Sequence, residues 1–204
     1  MEYILVIFLS YLSGTIPFGL IITMLFTNKD IRKIGSGNIG ATNVLRAGNK
    51  YLALGTLMLD SLKGFVPIVV TRQYFPELIE LSSISVFLGH IFPIWLKFKG
   101  GKGVATYLGV ITALSTQLCI LFIITWIIVS LIFKYSSVSS MFASLTVFVV
   151  NFLRETVISA DISLTTLMQL PDSKILFIFF ILIIYTHKKN ILNIKNKTEN
   201  KIKI

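Results

Sequence analysis

The chain has 204 residues, 54% of them hydrophobic and only 14% charged, with a formal net charge of +10 and a mean hydropathy of +0.83. A soluble domain carries about 25% charged residues, so this composition excludes that class and places the chain in a membrane. Basic and aromatic residues are not interleaved on a polar face, which argues against nucleic acid as a partner, and the single cysteine, Cys119, rules out an intramolecular disulfide.

The first apolar run, 3–26, has no basic leader and is long enough to span, so it reads as the first helix of the mature protein rather than a cleaved signal. A polar loop follows, Gly35-Ser36-Gly37-Asn38-Ile39-Gly40-Ala41-Thr42-Asn43, ending in Arg46. Its glycines let backbone N–H groups converge on an anion, and the Arg46 guanidinium can grip a phosphate through two bonds. Asn38 and Asn43 can bond hydroxyls or a carbonyl; the plainer reading is a capped start to a helix.

The second run, 51–71, contains Asp60 and Lys63, which share a helix face at i, i+3. Ionisable groups at membrane depth are paired or functional. Either this is an ion pair locking helices together, or Lys63 reaches a substrate phosphate while Asp60 orients it. The third run, 81–96, holds His90, whose plainer reading is a hydrogen-bonded packing residue. Next comes a second cationic glycine loop, Gly100-Gly101-Lys102-Gly103.

The stretch 104–133 is either one long tilted helix or two helices turning near Ser115-Thr116-Gln117. A run at 138–158 follows, then a connection over 159–173 containing Asp161 and Pro171, and a last run at 174–186. At its end His187 and Asn190 share a face, again i, i+3. The lysines around them suit a tail attracted to anionic lipids.

Charge placement decides between six and seven spans. With seven spans and the N-terminus outside, fifteen basic residues fall inside: Lys29, Arg32, Lys33, Arg46 and Lys50, then Lys97, Lys99, Lys102 and Lys134, then six lysines of the C-terminal tail. Only Arg72, Arg154 and Lys174 fall outside, together with most of the acidic residues. Basic asymmetry sets orientation. The expected fold is therefore an all-α integral membrane protein of seven transmembrane helices, a single domain over residues 1–204, with the C-terminus and both glycine loops on the cytoplasmic side.

Two anion-suited loops in a lipid-soluble chain point to a membrane protein acting on a phosphorylated molecule. The chain has no His-x4-Asp pair, no Gly-x-Ser-x-Gly elbow, no HExxH zinc pair and no cysteine–histidine couple. A transporter for a phosphorylated metabolite is the rival reading, but it needs a polar path and the spans offer little beyond Asp60, Lys63 and His90. A lipid-binding scaffold has no use for two such loops.

The ordered motifs Gly35 to Arg46, Asp60-Ser61-Leu62-Lys63-Gly64, Gly89-His90-Ile91-Phe92-Pro93, Phe98 to Thr106, Tyr135-Ser136-Ser137 and His187…Asn190-Ile191…Glu199 resemble the bacterial acyl-phosphate:glycerol-3-phosphate acyltransferase family (PlsY type). The resemblance covers almost the whole chain. It implies a seven-span inner-membrane enzyme, without cofactor or metal, that moves a fatty acyl group from acyl phosphate to the 1-hydroxyl of glycerol 3-phosphate. The products are lysophosphatidic acid and phosphate, and an acyl-phosphate-producing enzyme is a possible partner.

In that light Ser36, Asn38, Arg46, Lys102, His187 and Asn190 are expected to carry catalysis. Gly35, Gly37, Gly40, Thr42, Asn43, Lys63, Gly100, Gly101 and Gly103 are expected to bind substrate. The chain departs from the pattern at Lys197, where relatives have glycine, and at Lys134, where arginine is common.

Overall fold

The computed structural model describes residues 1–159 and 171–202. The connection expected around Asp161 lies outside the described residues. Those residues form helices and turns only, in two compact units, Met1–Ala113 and Leu114–Ile204.

In the first unit the opening apolar run forms two helices, α1 (Glu2–Thr15) and α2 (Phe18–Thr27). Pro17 causes the break: it has no N–H and pushes Ile16 into extended backbone (φ −66°, ψ 115°). After α2 come a short 3-10 turn, Ile31–Lys33, then α3 (Ala41–Arg46) and α4 (Lys50–Tyr74). Asn49 caps α4 by accepting from Tyr51 N and Leu52 N. Helices α5 (Ile79–Ile91) and α6 (Val104–Leu114) complete the unit.

Helix α1 packs against α4 and α5, and α4 also against α2, α3 and α5. Small residues permit the closest crossings. A Cβ at Gly14 would strike the Val86 carbonyl across α1 and α5, and one at Gly109 would strike the Ser61 carbonyl across α4 and α6. Without a hydrophobic drive in lipid, such contacts and buried polar bonds hold helices together. Ser10 Oγ lies 2.8 Å from Ser82 Oγ, and Tyr11 donates to the Phe92 carbonyl at 2.7 Å.

The second unit contains α7 (Thr116–Phe133), α8 (Ser136–Ser159), α9 (Ser173–Thr186) and α10 (Lys188–Lys195), with α8 packed on both α7 and α9. Ser115 ends the ambiguity over 104–133. Its backbone is extended and its hydroxyl accepts from Leu118 N, so it stands as the N-cap of α7 between two separate helices. Ile120, Ile124, Ile128 and Ile132 on α7 are exposed, a surface suited to lipid and not to water.

Among the described residues, five helical segments are long and apolar enough to cross a membrane: Glu2–Thr27, Lys50–Tyr74, Pro76–Leu96, Thr116–Phe133 and Ser136–Val157. Helices α9 and α10, bent by 54° at His187, add a sixth when the bent pair is counted as one span. The expected fourth span is α6, whose 11 residues rise only about 16 Å against a hydrocarbon core of about 30 Å.

Candidate active site

The first loop is built around one side chain. Asn43, buried on α3, donates from its amide nitrogen to the carbonyls of Ile31 (3.1 Å), Ile34 (3.0 Å) and Asn38 (2.8 Å). Its Oδ1 accepts from Ser36 N at 2.9 Å. The amide is thus occupied by the loop's own backbone. We expected Asn43 to hold ligand; the structure makes it the clamp that shapes the loop.

Gly35 and Gly37 take left-handed backbone (φ +57° and +73°), which other residues adopt only with strain. Asn38 Oδ1 accepts from Gly40 N at 3.3 Å, a local turn bond. Ser36, Asn38, Gly40 and Arg46 are half-buried and Thr42 is exposed, with Arg46 in the last turn of α3. Ile39 turns inward and packs with Leu20, Ile31, Val44 and Ala53.

Outside the helices, Asp30 pairs with Arg32 at 2.7 Å and caps the 3-10 turn through Arg32 N. The Arg32 guanidinium, followed by the Arg32 N–H, holds the Asp30 carboxyl down at about 2.

The second loop is seated on the end of α5. Gly100 N donates to Ile91 O (3.0 Å) and Gly101 N to His90 O (3.1 Å), so both N–H groups are spent inside the protein. Neither N–H is therefore aimed out of the protein toward an anion. What the glycines supply is approach: a Cβ on Gly101 would enter the His90 ring, and one on Gly103 (φ +83°) would enter the Phe87 ring. Lys102, half-buried, sits between them at the entry to α6.

Lys63 does not reach toward a ligand. Its Nζ lies 2.8 Å from Asp60 Oδ1 and donates to Ile16 O at 2.6 Å, with both side chains 3% exposed. Of the two readings left open by the sequence, the geometry is that of the buried ion pair. His90 Nδ1 stands 4.0 Å from the same Asp60 oxygen.

In the second unit His187 is buried at the α9–α10 bend, and its Nδ1 lies 2.8 Å from the Ile183 carbonyl. A carbonyl only accepts, so Nδ1 carries the proton, and Nε2 is the basic nitrogen when the ring is neutral. Asn190 Nδ2 donates to Glu199 Oε1 at 2.6 Å, joined by Ser137 Oγ (3.2 Å), while Asn193 Nδ2 donates to Oε2 (3.3 Å). Glu199 thus ties the tail to α8 and α10, a role sequence reasoning did not assign. Its signal was a lone acid in a lysine-rich tail.

The two departures also have a structural setting. Lys197 (φ +58°) is the left-handed residue of a Schellman motif closing α10, with Thr198 N bonded to Asn193 O and Lys197 N to Ile194 O. Glycine is the residue that position favours. Lys134 (φ +61°) ends α7 in the simpler left-handed form, through its N–H to Ser130 O.

Comparison with known proteins agrees with this architecture. The family model for glycerol-3-phosphate acyltransferase matches residues 4–197. A glycerol-3-phosphate acyltransferase of Pelagibacter ubique is 48% identical over 204 residues, covering all of both chains. One from Ehrlichia canis is 45% identical over 202 residues, 98% of each chain.

Among solved structures, the glycerol 3-phosphate form of PlsY (YgiH), an integral membrane glycerol 3-phosphate acyltransferase, superposes with a TM-score of 0.87 at 31% identity, covering 100% of this chain and 96% of that one. The lysophosphatidic acid form of the same protein gives 0.84 at 30% identity, covering 98% and 95%. A match of this extent, over sequence and fold together, means that the chain belongs to the glycerol-3-phosphate acyltransferase family.

Proposed function

We propose that the protein acylates glycerol 3-phosphate at its 1-hydroxyl with acyl phosphate as donor, releasing lysophosphatidic acid and inorganic phosphate. The observation that carries this reading is the full-length likeness to an integral membrane enzyme solved in glycerol 3-phosphate and lysophosphatidic acid forms. Two further features support it. Both substrates are phosphates, and the first unit presents two loops that each end in, or contain, a half-buried cation: Arg46 and Lys102.

In the reaction the glycerol 1-oxygen attacks the acyl carbonyl carbon. The carbonyl collapses through an oxyanion, the bond from carbonyl carbon to phosphate oxygen breaks, and phosphate leaves. The hydroxyl proton passes to a phosphate oxygen, so the donor supplies its own base. Acyl phosphate is already activated, which leaves the protein mainly to align two anions and stabilise the oxyanion.

We assign Lys102 and the Gly100–Gly103 loop to glycerol 3-phosphate. Ser36, Asn38 and Arg46 serve the acyl-phosphate head and the oxyanion. His187, with Nε2 as its basic nitrogen, and Asn190 serve the same reaction. Asn43 and Lys63 drop out of the list of direct contacts, because their polar atoms are engaged within the protein.

The basic asymmetry of the sequence supports a seven-span arrangement in which α6 counts as a short span, with the loops and C-terminus facing the cytoplasm of the bacterial inner membrane. On this reading residues 1–204 work as one catalytic domain. The test uses purified protein with palmitoyl phosphate and glycerol 3-phosphate. Phosphate should be released in proportion to lysophosphatidic acid formed; product from acyl-CoA alone, or none from acyl phosphate, overturns the proposal.

A further inference from the structure

The mechanism leaves one chemical group unused: the buried cluster of Asp60, Lys63 and His90. It is more than an isolated ion pair, because Lys63 and His90 each also touch the mounting of a loop. Lys63 Nζ donates to Ile16 O at 2.6 Å, the carbonyl that the Pro17 break leaves outside regular helix bonding. Its ammonium also stands 5.7 Å from the centre of the Phe18 ring, at the start of α2. One residue further, Gly19 lies flush against the Ile39 carbonyl of the first loop, so that a Cβ there would collide with it. The position of the α1–α2 break therefore sets the seat of the Ser36 loop.

His90 does the same for the second loop. Its carbonyl accepts from Gly101 N, and its ring occupies the space a Gly101 side chain would need. Lys102 is the next residue. Asp60 stands between the two seats: its Oδ1 is 2.8 Å from Lys63 Nζ and 4.0 Å from His90 Nδ1, the second an approach without a hydrogen bond.

Helix-to-helix adhesion alone does not account for this arrangement. Replacing a buried ion pair by apolar side chains of similar size is often neutral or stabilising, and α1 already meets α5 through small residues and hydroxyl bonds and α4 through the Ser13 hydroxyl, which donates to Lys63 O. We propose that Asp60, Lys63 and His90 are positioning residues for the reaction, holding the seats of the Ser36 and Lys102 loops on one buried framework so that the two substrate loops keep a fixed spacing. This rests on the functional reading above. The cluster touches no substrate; it acts through the Ile16 carbonyl on one side and Gly101 on the other.

The test separates placement from folding. The double variant Asp60→Asn/Lys63→Met leaves no uncompensated charge but removes the donor to Ile16 O. It should keep the wild-type Tm in detergent and lose about tenfold or more in kcat/KM, because misplacing reactants by a fraction of an ångström costs rate without costing fold. Wild-type kinetics in the folded double variant overturns the proposal.

Should that variant fail to fold, His90→Gln decides, since it is neutral and removes the ring beneath Gly101. The proposal expects an intact Tm with KM for glycerol 3-phosphate raised about tenfold. Unchanged KM in the folded fraction overturns it, whatever happens to yield. Wild-type protein runs alongside: if it releases no phosphate from acyl phosphate the functional reading itself has failed, whereas active wild type with indifferent variants sinks the positioning role alone.

Discussion

Removing the Asn43 amide tests whether that residue shapes the loop or touches the substrate. Asn43→Ala deletes four hydrogen-bonding contacts: three in which the two amide protons are shared among the Ile31, Ile34 and Asn38 carbonyls, and one accepted from Ser36 N. Each is worth about 1 kcal/mol net. Three of the four involve partly buried atoms, where water takes over part of the loss, so about 2–3 kcal/mol of loop stability should disappear.

That is roughly 30- to 140-fold in the equilibrium between the closed loop and its opened forms. The Ser36 amide proton, bonded to Asn43 in the closed loop, should exchange with solvent faster by about the same factor. The value of kcat/KM with palmitoyl phosphate should fall at least about tenfold as Ser36 and Arg46 lose their fixed places. Asn43→Asp should do no better, because it keeps the acceptor but sets a carboxylate against three carbonyl oxygens. If Ser36 exchange were unchanged in Asn43→Ala while KM alone rose, Asn43 would be a substrate contact and the clamp argument would be wrong.

Gly101→Ala should raise KM for glycerol 3-phosphate steeply, by about a hundredfold, since its Cβ enters the His90 ring and displaces Lys102; a KM titration checks it. Glu199→Gln should lower the Tm by weakening the bonds from Asn190, Asn193 and Ser137, with a loss of about 2–3 kcal/mol for a charge-assisted network. Lys197→Gly should leave the Tm equal or slightly higher. It relieves about 1 kcal/mol of left-handed strain but adds chain entropy to the unfolded state. The Asp30–Arg32 pair should matter to pH dependence only in acid. With the folded carboxyl held at about 2 and an unfolded value near 3.9, its contribution is present above about pH 4 and lost as pH falls toward 2, so Asp30→Asn should leave a profile over pH 6–9 unchanged.

How much of this was legible in the sequence depends on the kind of signal. Helix placement was, because lipid demands long apolar runs, and Ser115, a good N-cap in the middle of 104–133, marked the true break. The split at Ile16-Pro17 was not drawn, although Pro17 carries it, because the apolar run from 3 to 26 continues undisturbed across it. The depth of α6 was not legible either: an apolar stretch of about a dozen residues looks the same whether it spans or stops short. In the tail, glycine at Lys197 is an expectation of the family pattern, and the left-handed φ of that residue in a Schellman motif is a conformation that glycine adopts without strain.

The glycine loops teach a finer point about reading anion sites. A sequence shows that glycines are present but not where their N–H groups are aimed. Gly100 and Gly101 aim theirs at the carbonyls ending α5, so the absent Cβ serves packing, and the proposed function leaves phosphate recognition at this loop to the Lys102 side chain. Asn43 follows the same logic, spending its amide on four backbone groups. Polar side chains that look like ligand contacts in sequence are the ones best able to satisfy an irregular backbone, and beside apolar helices that task takes precedence, because an unpaired backbone group there costs more than in water. On the proposed reading Arg46 and Lys102 meet the substrate phosphates through their charge, and the variants of Asp60, Lys63 and His90 test whether the buried ions hold the framework on which those charges are mounted.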